Sequence, residues 1–432
     1  MLADYVGFAN YQVVMKQLPI LKFGVLILGL AGVESVHGGE LSGDGADAGS
    51  VLSDPALGLS GSNWLSGSNP SFGGVLFPHL HMLGVFGGTT AESAEGLAQG
   101  HHDPQDDVTL QGIELGASLR FSDLLHGFAV YSWSSDAERK IDGGFEEYFL
   151  KLPSLPGGLE LRGGRFFNRF GFQNSVHNHG WDFVNQNLLN GRLLQEGELA
   201  TDGGELTWNL PVSIPAAIGF SYGSAVVEDE EHDHDHGGEE SEFEGDGARF
   251  VDDLFGVHGI VQMDYNDFHQ HRFVASAAWG DNEYGRTTSI YGAGYEYQWR
   301  ENGYEPGGRY FRWRNEVVYR RIGAISGELH ELAAVAEPSR RAVLDEFGLY
   351  SMVSYGFNEV AEAGLRVGWV SGIEEAGQDE RYRISPNLTF NLNSARTAFV
   401  RLQYDYDQSE EFGAEHSAWL QVGFNWGGPE VR

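Results

Sequence analysis

The sequence predicts an all-β fold: a transmembrane antiparallel β-barrel of about 16 strands, porin-like in width and without a plug domain. Three observations lead there. Gly occurs 61 times in 432 residues and aromatics make up 13%, while hydrophobic residues reach only 41% and Cys is absent. So little aliphatic material is poor for helical or doubly wound cores, and so many aromatics are wrong for a disordered chain. Next, apolar and polar residues alternate with a period of two over segments of about ten residues, the mark of strands with two unlike faces. Lastly, short connections alternate with mostly longer ones along the chain, as they do when short turns sit on one rim of a membrane barrel and loops on the other.

In chain order, Met15-Lys16 to Lys22 leads into an apolar run of 11 residues, Phe23 to Val33, with small residues around Ser35 and Gly38. A basic start, a short apolar core and a small-residue end predict an export signal over 1–38, with Met15 a candidate true start. The alternative is a buried helix; the run is too short to span a bilayer, which takes about 20 residues. Residues 39–71, rich in Gly, Ser, Asp and Asn, predict a flexible periplasmic leader.

The barrel is expected over 72–426, with strands near 77–86, 109–121, 125–134, 144–152, 158–166, 203–210, 215–224, 256–264, 270–279, 286–299, 308–322, 346–356, 359–371, 380–391, 396–406 and 415–426. The last strand sets Ala418, Leu420, Val422, Phe424 and Trp426 against Ser417, Gln421, Gly423 and Asn425. The one before sets Val400, Leu402, Tyr404 and Tyr406 against Arg401, Gln403, Asp405 and Asp407. Apolar faces that end in Tyr and Trp suit lipid with aromatic girdles, and the opposite faces suit a wet lumen. Closure follows from the solvent, because unpaired backbone groups in hydrocarbon cost several kcal/mol each. A short tail, 427–432, follows Trp426.

The net charge of −35 argues against nucleic acid as a partner. Without Cys there is no thiolate zinc site, no disulfide framework and no Cys nucleophile. No HExxH motif is present, and no enzymatic activity is expected.

Histidines gather in three long connections. His232, Asp233, His234, Asp235 and His236 lie within an acidic run holding eleven carboxylates between Glu228 and Asp246. Imidazole and carboxylate together are borderline ligands for Zn²⁺, Ni²⁺ or Cu²⁺. Such a site is expected to be loose and exchanging, no cofactor being required; the alternative is a solvated acidic loop. His101, His102 and Asp103 precede the second strand, and His177, His179 and Asp182 lie in the longest connection, 167–202, so all three groups are expected on the outer rim as metal ligands. His79 and His81 share one face of the first strand and are read as lumen or interface residues.

On the lumen face Arg312, Arg314, Glu316 and Arg320 fall in one strand, with Arg366 and Arg401 in later ones and Arg162 near the longest loop. They either form rings of charge across a constriction or pair with Glu114, Glu147, Glu160 and Glu205 on neighbouring strands.

The stretches Gly100-His101-His102-Asp103-Pro104, Leu110-Gln111-Gly112-Ile113-Glu114-Leu115, Glu146-Glu147-Tyr148-Phe149, Leu155 to Phe167 and His177-Asn178-His179-Gly180-Trp181-Asp182 carry a family resemblance. Together they resemble the porin-like, zinc-associated outer-membrane proteins of Gram-negative bacteria, often labelled zinc-regulated receptors. The resemblance covers about 68–426, and in the last stretch Asn178 and Gly180 depart from the family's His-Pro-His-Ala-Trp-Asp. It implies an outer-membrane barrel tied to zinc or another divalent metal. The label also implies energised uptake, but a plug is a domain on the order of 100 residues, which 39–71 cannot supply. The expected function is therefore a passive channel for small solutes with metal-gathering loops, its partners being outer-membrane lipid, divalent ions and solutes; association as a homotrimer is compatible with it. The alternative is a non-conducting metal- or surface-binding barrel, blocked by a longest loop whose Trp181, Phe183, Leu188 and Leu189 are apolar enough to fold inward.

Overall fold

The computed structural model describes residues 67–69 and 74–431 apart from 95–96, 99, 101, 136–138, 228–247, 306, 327–339, 374–375, 394–395 and 429. The expected export signal, most of the leader, His101 and the ligand set His232, Asp233, His234, Asp235 and His236 lie outside the described residues.

A three-residue strand β1 (Gly67–Asn69) pairs with the start of β2 (Gly74–Thr89). The chain continues through β3 (Asp107–Ser122), β4 (Leu125–Ser135), β5 (Ile141–Leu155), β6 (Leu159–Phe167), β7 (Ala200–Asn209), β8 (Ala216–Ala225) and β9 (Phe250–Asn266). The second half is β10 (His269–Asn282), β11 (Thr287–Arg300), β12 (Tyr310–Ser326), β13 (Arg340–Gly356), β14 (Ala361–Val370), β15 (Arg381–Asn391), β16 (Ala398–Ser409) and β17 (Gly413–Gly427). From β2 onward each strand pairs antiparallel with the next, and β17 pairs back with β2, Trp426 against Leu80, so sixteen long strands close a barrel. Each overlaps one of the sixteen expected segments, the largest differences being at the starts of β9 and β13, which begin six residues earlier than expected.

The faces are inverted relative to a soluble protein. Leu402, Val422 and Phe424 are exposed, whereas Arg401, Gln403, Asp405 and Asp407 on the same strands are buried. Large apolar side chains outside and charged ones inside are stable only where lipid is the outer solvent. Tyr222, Phe255 and Trp279 touch in sequence across β8, β9 and β10, and Tyr291, Tyr319 and Phe347 continue across β11, β12 and β13, forming an aromatic girdle near the long-loop rim. Leu402→Arg, at the middle of β16 on the lipid face, is expected to lower stability by about 2–4 kcal/mol, read as a drop in the urea midpoint of vesicle-embedded barrel.

One expectation is overturned. The connection between β6 and β7 does not stand on the outer rim but folds into the barrel, so His177, His179 and Asp182 are lumen residues. Its short helix α1 (Leu188–Leu193), capped by the Asn187 side chain accepting from Asn190 N at 2.8 Å, buries Leu188, Leu189 and Leu193. They pack with Phe170, Phe183, Leu194 and Leu199 against inward Leu254, Ile290, Val318, Tyr350 and Val370. Both surfaces are apolar and would otherwise face lumen water, so joining them is favourable at about 25 cal/mol per Å² removed. Gly348 allows the close approach, since a Cβ there would lie 2.7 Å from Leu193. Leu193→Ala is expected to weaken loop docking by about 2–5 kcal/mol, visible as faster proteolysis within 168–199 in an otherwise intact barrel.

The tail also turns inward. Val431 packs with Phe128, Val130, Phe149 and Phe166, and its N–H donates to Ser118 Oγ at 3.0 Å. Sequence reading left this segment as a plain tail.

Candidate functional site

Two unlike walls face each other across the in-folded loop. On one side β12, β14, β15 and β16 present Arg312, Arg314, Arg366, Arg383 and Arg401, all buried from bulk solvent. On the other, β3 and β5 present Glu114, Glu146 and Glu147, and around the ring β12 lies eight strands from β4.

The loop is fastened to the arginine wall by specific polar contacts. Arg312 donates to Asp182, whose second oxygen lies 3.7 Å from Arg314. Arg366 donates to Asn185 O at 3.0 Å and Oδ1 at 2.5 Å and lies 4.5 Å over the Phe183 ring. The N–H of Phe172 donates to Glu316 at 2.8 Å, and that of Val184 donates to Gln403 at 2.7 Å. Arg312, Arg314, Glu316, Arg320, Arg366, Arg401, Glu114 and Arg162 are all buried on the inner side of the barrel. Pairing between neighbours accounts for part of it: Arg162 donates to Glu205 at 3.0 Å and Arg320 to Glu346 at 2.5 Å. Arg401 instead meets Thr389 Oγ1 at 3.0 Å and Gln421 Oε1 at 2.8 Å. Between loop and arginine wall lies a narrow cleft lined by Trp181, Asp182, Phe183, Arg312, Arg314 and Arg366.

The metal-ligand expectation separates into parts. Asp182 is held by the two arginines and does not join the histidines. Asp103 accepts from the Gln186 N–H at 2.8 Å, anchoring the loop rather than an ion. In both cases a donor with a full hydrogen to give stands where a metal would. His177 and His179 do come together, and they do so against carboxylates. His177 Nδ1 lies 2.6 Å from Glu146 Oε2 and 3.3 Å from Glu114 Oε2, while its Nε2 lies 2.9 Å from Glu147 Oε2. His179 Nδ1 lies 2.8 Å from Glu114 Oε2 and its Nε2 3.7 Å from Glu430 Oε1. The His81 ring stacks flat on His179, centroids 3.6 Å apart, and His102 Nε2 sits 3.4 Å from Glu146. Burial works against a charged ring at each loop histidine but is outweighed. Glu146 and Glu114 hold His177 well above the ordinary imidazole value, Glu114 raises His179, and Glu146 with Glu198 lifts His102 to about 9.

Elsewhere in the lumen buried carboxylates pair with guanidiniums, as Glu205, Glu296, Glu346 and Asp407 do. Here the ion pairs of Glu114 and Glu146 are with imidazoles. The sequence places His81 and Glu147 on the lumen face, Glu147 as a partner for arginine, but carries no sign that Glu146 and Glu430 join them. Strict alternation puts only one of two adjacent glutamates inside, but β5 carries a bulge: Val130 pairs with Glu147 and Tyr131 with Phe145, so Glu146 is the extra residue. Glu430 is brought in by the turned tail, for which the sequence has no periodic signal.

No family model matches the sequence, and no curated protein matches it. Among solved structures the chain is similar to the outer membrane channel DcaP of Acinetobacter baumannii, with a TM-score of 0.51 and 9% identity over 84% of this chain and 100% of that one. The fold is that of an outer-membrane porin. The anion-selective porin from Comamonas acidovorans is also similar, at a TM-score of 0.48 and 10% identity over 82% of this chain and 99% of that one. At this identity the likeness is one of architecture.

Proposed function

We propose that this chain is a porin-like channel that passes small hydrophilic solutes along its arginine wall, anions ahead of cations, and gathers divalent metal at its histidine- and acid-rich outer loops. The observation that carries the reading is the cleft left between the in-folded loop and β12–β14, where three guanidiniums meet one carboxylate, Asp182. A narrow charged passage with low-dielectric walls focuses the field on whatever enters. Arg366 and Arg401 support the sign, since their hydrogen bonds go to amide, hydroxyl and backbone oxygens. The net charge of −35 does not reverse it, because exposed charge is screened within about 8 Å at physiological salt. Metal gathering rests on the composition of 228–247 and the local counter-ion excess such a run creates.

Liposome swelling tests the channel. Vesicles carrying the refolded barrel are expected to admit a small anionic solute faster than a cationic one of equal size, and Arg366→Gln with Arg401→Gln is expected to erase the difference. Equal rates in the unaltered barrel would overturn the anion preference. A second reading, a non-conducting binding barrel, is favoured by one feature: α1 is sealed to the wall, with Leu188, Leu189 and Leu193 buried. It predicts no swelling with any solute.

A further inference from the structure

The loop histidines make a closed arrangement that the channel reading does not use. His177 is 2% exposed and its Nδ1 has no aligned hydrogen-bond partner, although two carboxylate oxygens stand within 3.3 Å of it. Glu114 is 1% exposed, and its Oε1 is likewise without a hydrogen bond. One ring nitrogen each of His177 and His179 and a Glu114 oxygen all lie within 4.8 Å of one another, and both Nδ1 atoms face Glu114 Oε2. Ligands around one tetrahedral ion, each about 2.0–2.2 Å from it, stand roughly 3.3–3.5 Å apart, and the observed separations of 2.8 and 3.3 Å to Glu114 are close to that.

The remaining ring nitrogens complete the pattern. His177 Nε2 lies 2.9 Å from Glu147 Oε2, which leaves Nδ1 as the nitrogen that faces Glu114 and Glu146 and that a cation would take by displacing its proton. His179 Nε2 lies 3.7 Å from Glu430 Oε1, within ion-pair range but outside hydrogen-bond range. A carboxylate behind an imidazole, as Glu147 stands behind His177, is the usual support of a metal-bound histidine. A second grouping, His81, His179 and Glu430, also brings ligand atoms within 4.8 Å, but the two rings lie parallel, 4° apart, so their lone pairs run side by side rather than converging.

We infer that His177 Nδ1, His179 Nδ1 and Glu114, with Glu146 beside them, form a buried divalent-cation site inside the barrel that latches the in-folded loop to the β3–β5 wall. Two imidazoles and carboxylates are a donor set for borderline ions of the Zn²⁺ class. The site differs from loose capture at 228–247 in being preformed from three separate parts of the fold, and it does not depend on whether the barrel conducts. Gly112 leaves room for the Asn178 side chain, since a Cβ there would meet Asn178 Nδ2, which donates to Gln111 O, at 2.8 Å.

The test uses the refolded full-length barrel in detergent, stripped with a chelator and titrated with Zn²⁺, with Co²⁺ as a spectroscopic probe. One tight equivalent per chain is expected, giving the strong visible absorption of four-coordinate Co²⁺. Glu114→Gln and His179→Gln are each expected to weaken it more than 100-fold, and Glu147→Gln, which acts through His177, by about 10–100-fold. The triple change of His232, His234 and His236 to Ala is expected to leave it intact. All variants are compared as folded, heat-modifiable barrels, and His179→Gln carries the test if Glu114→Gln does not fold. Absence of a tight equivalent, its survival in His179→Gln, or its loss in the triple variant would overturn the site while leaving the channel reading untouched.

Discussion

Excising residues 169–198 and joining the ends by a short Gly-Ser turn should raise single-channel conductance several-fold. The barrel itself does not need the segment. Phe167 and Ala200 are register partners at the ends of β6 and β7, and paired residues across antiparallel strands lie about 4.5–5.5 Å apart. A hairpin turn can therefore replace the loop without disturbing the ladder from Leu159–Trp208 upward. What disappears is the material filling the bore, α1 and the aromatic residues on either side of it. The inward wall at Leu254, Ile290, Val318 and Val370 is then left to water, so the variant is expected to be less stable as well as wider. Unchanged conductance would show that current does not pass beside this loop.

Glu296→Gln is expected to destabilise the barrel by about 3–5 kcal/mol, the usual consequence of removing one member of a buried ionic group. Glu296 is 1% exposed and accepts from Arg272 Nε at 3.0 Å and Arg314 Nε at 2.6 Å, joining β10, β11 and β12 on the inner face. Gln keeps the shape but leaves two guanidiniums facing each other without the charge between them. Urea unfolding of vesicle-embedded protein reads the difference, and a loss below about 1 kcal/mol would mean that lumen water screens this group as it screens a surface pair.

The barrel was legible because its signals are local. Each strand shows its own period of two, and each short turn marks one rim, so all sixteen long strands could be placed without knowing which would be neighbours. The lumen face of β12 followed from the same parity, Arg312, Arg314, Glu316 and Arg320 falling on alternate positions. The site was less legible for physical reasons that differ residue by residue. His177 and His179 were visible as ligand types, but their position depended on the loop folding inward, a tertiary event driven by wall residues more than fifty positions downstream. Glu146 depended on a bulge, which breaks the parity that located everything else. Glu430 depended on a turn after the last strand. Asp182 and Asp103 were grouped with the histidines by sequence proximity, yet Asp182 belongs to Arg312 and Arg314 across the lumen, and Asp103 to the backbone of Gln186.

The central claim is that a closed barrel carries solutes past an in-folded loop lying against an arginine wall. Single-channel recording of the intact refolded barrel in a planar bilayer, under a KCl gradient, tests it most directly. The account predicts discrete conductance steps, smaller than those of the loop-excised chain, with a reversal potential displaced toward that of Cl⁻. A correctly folded barrel that gives no steps, while the loop-excised chain conducts, would contradict it and make the loop a stopper rather than a constriction.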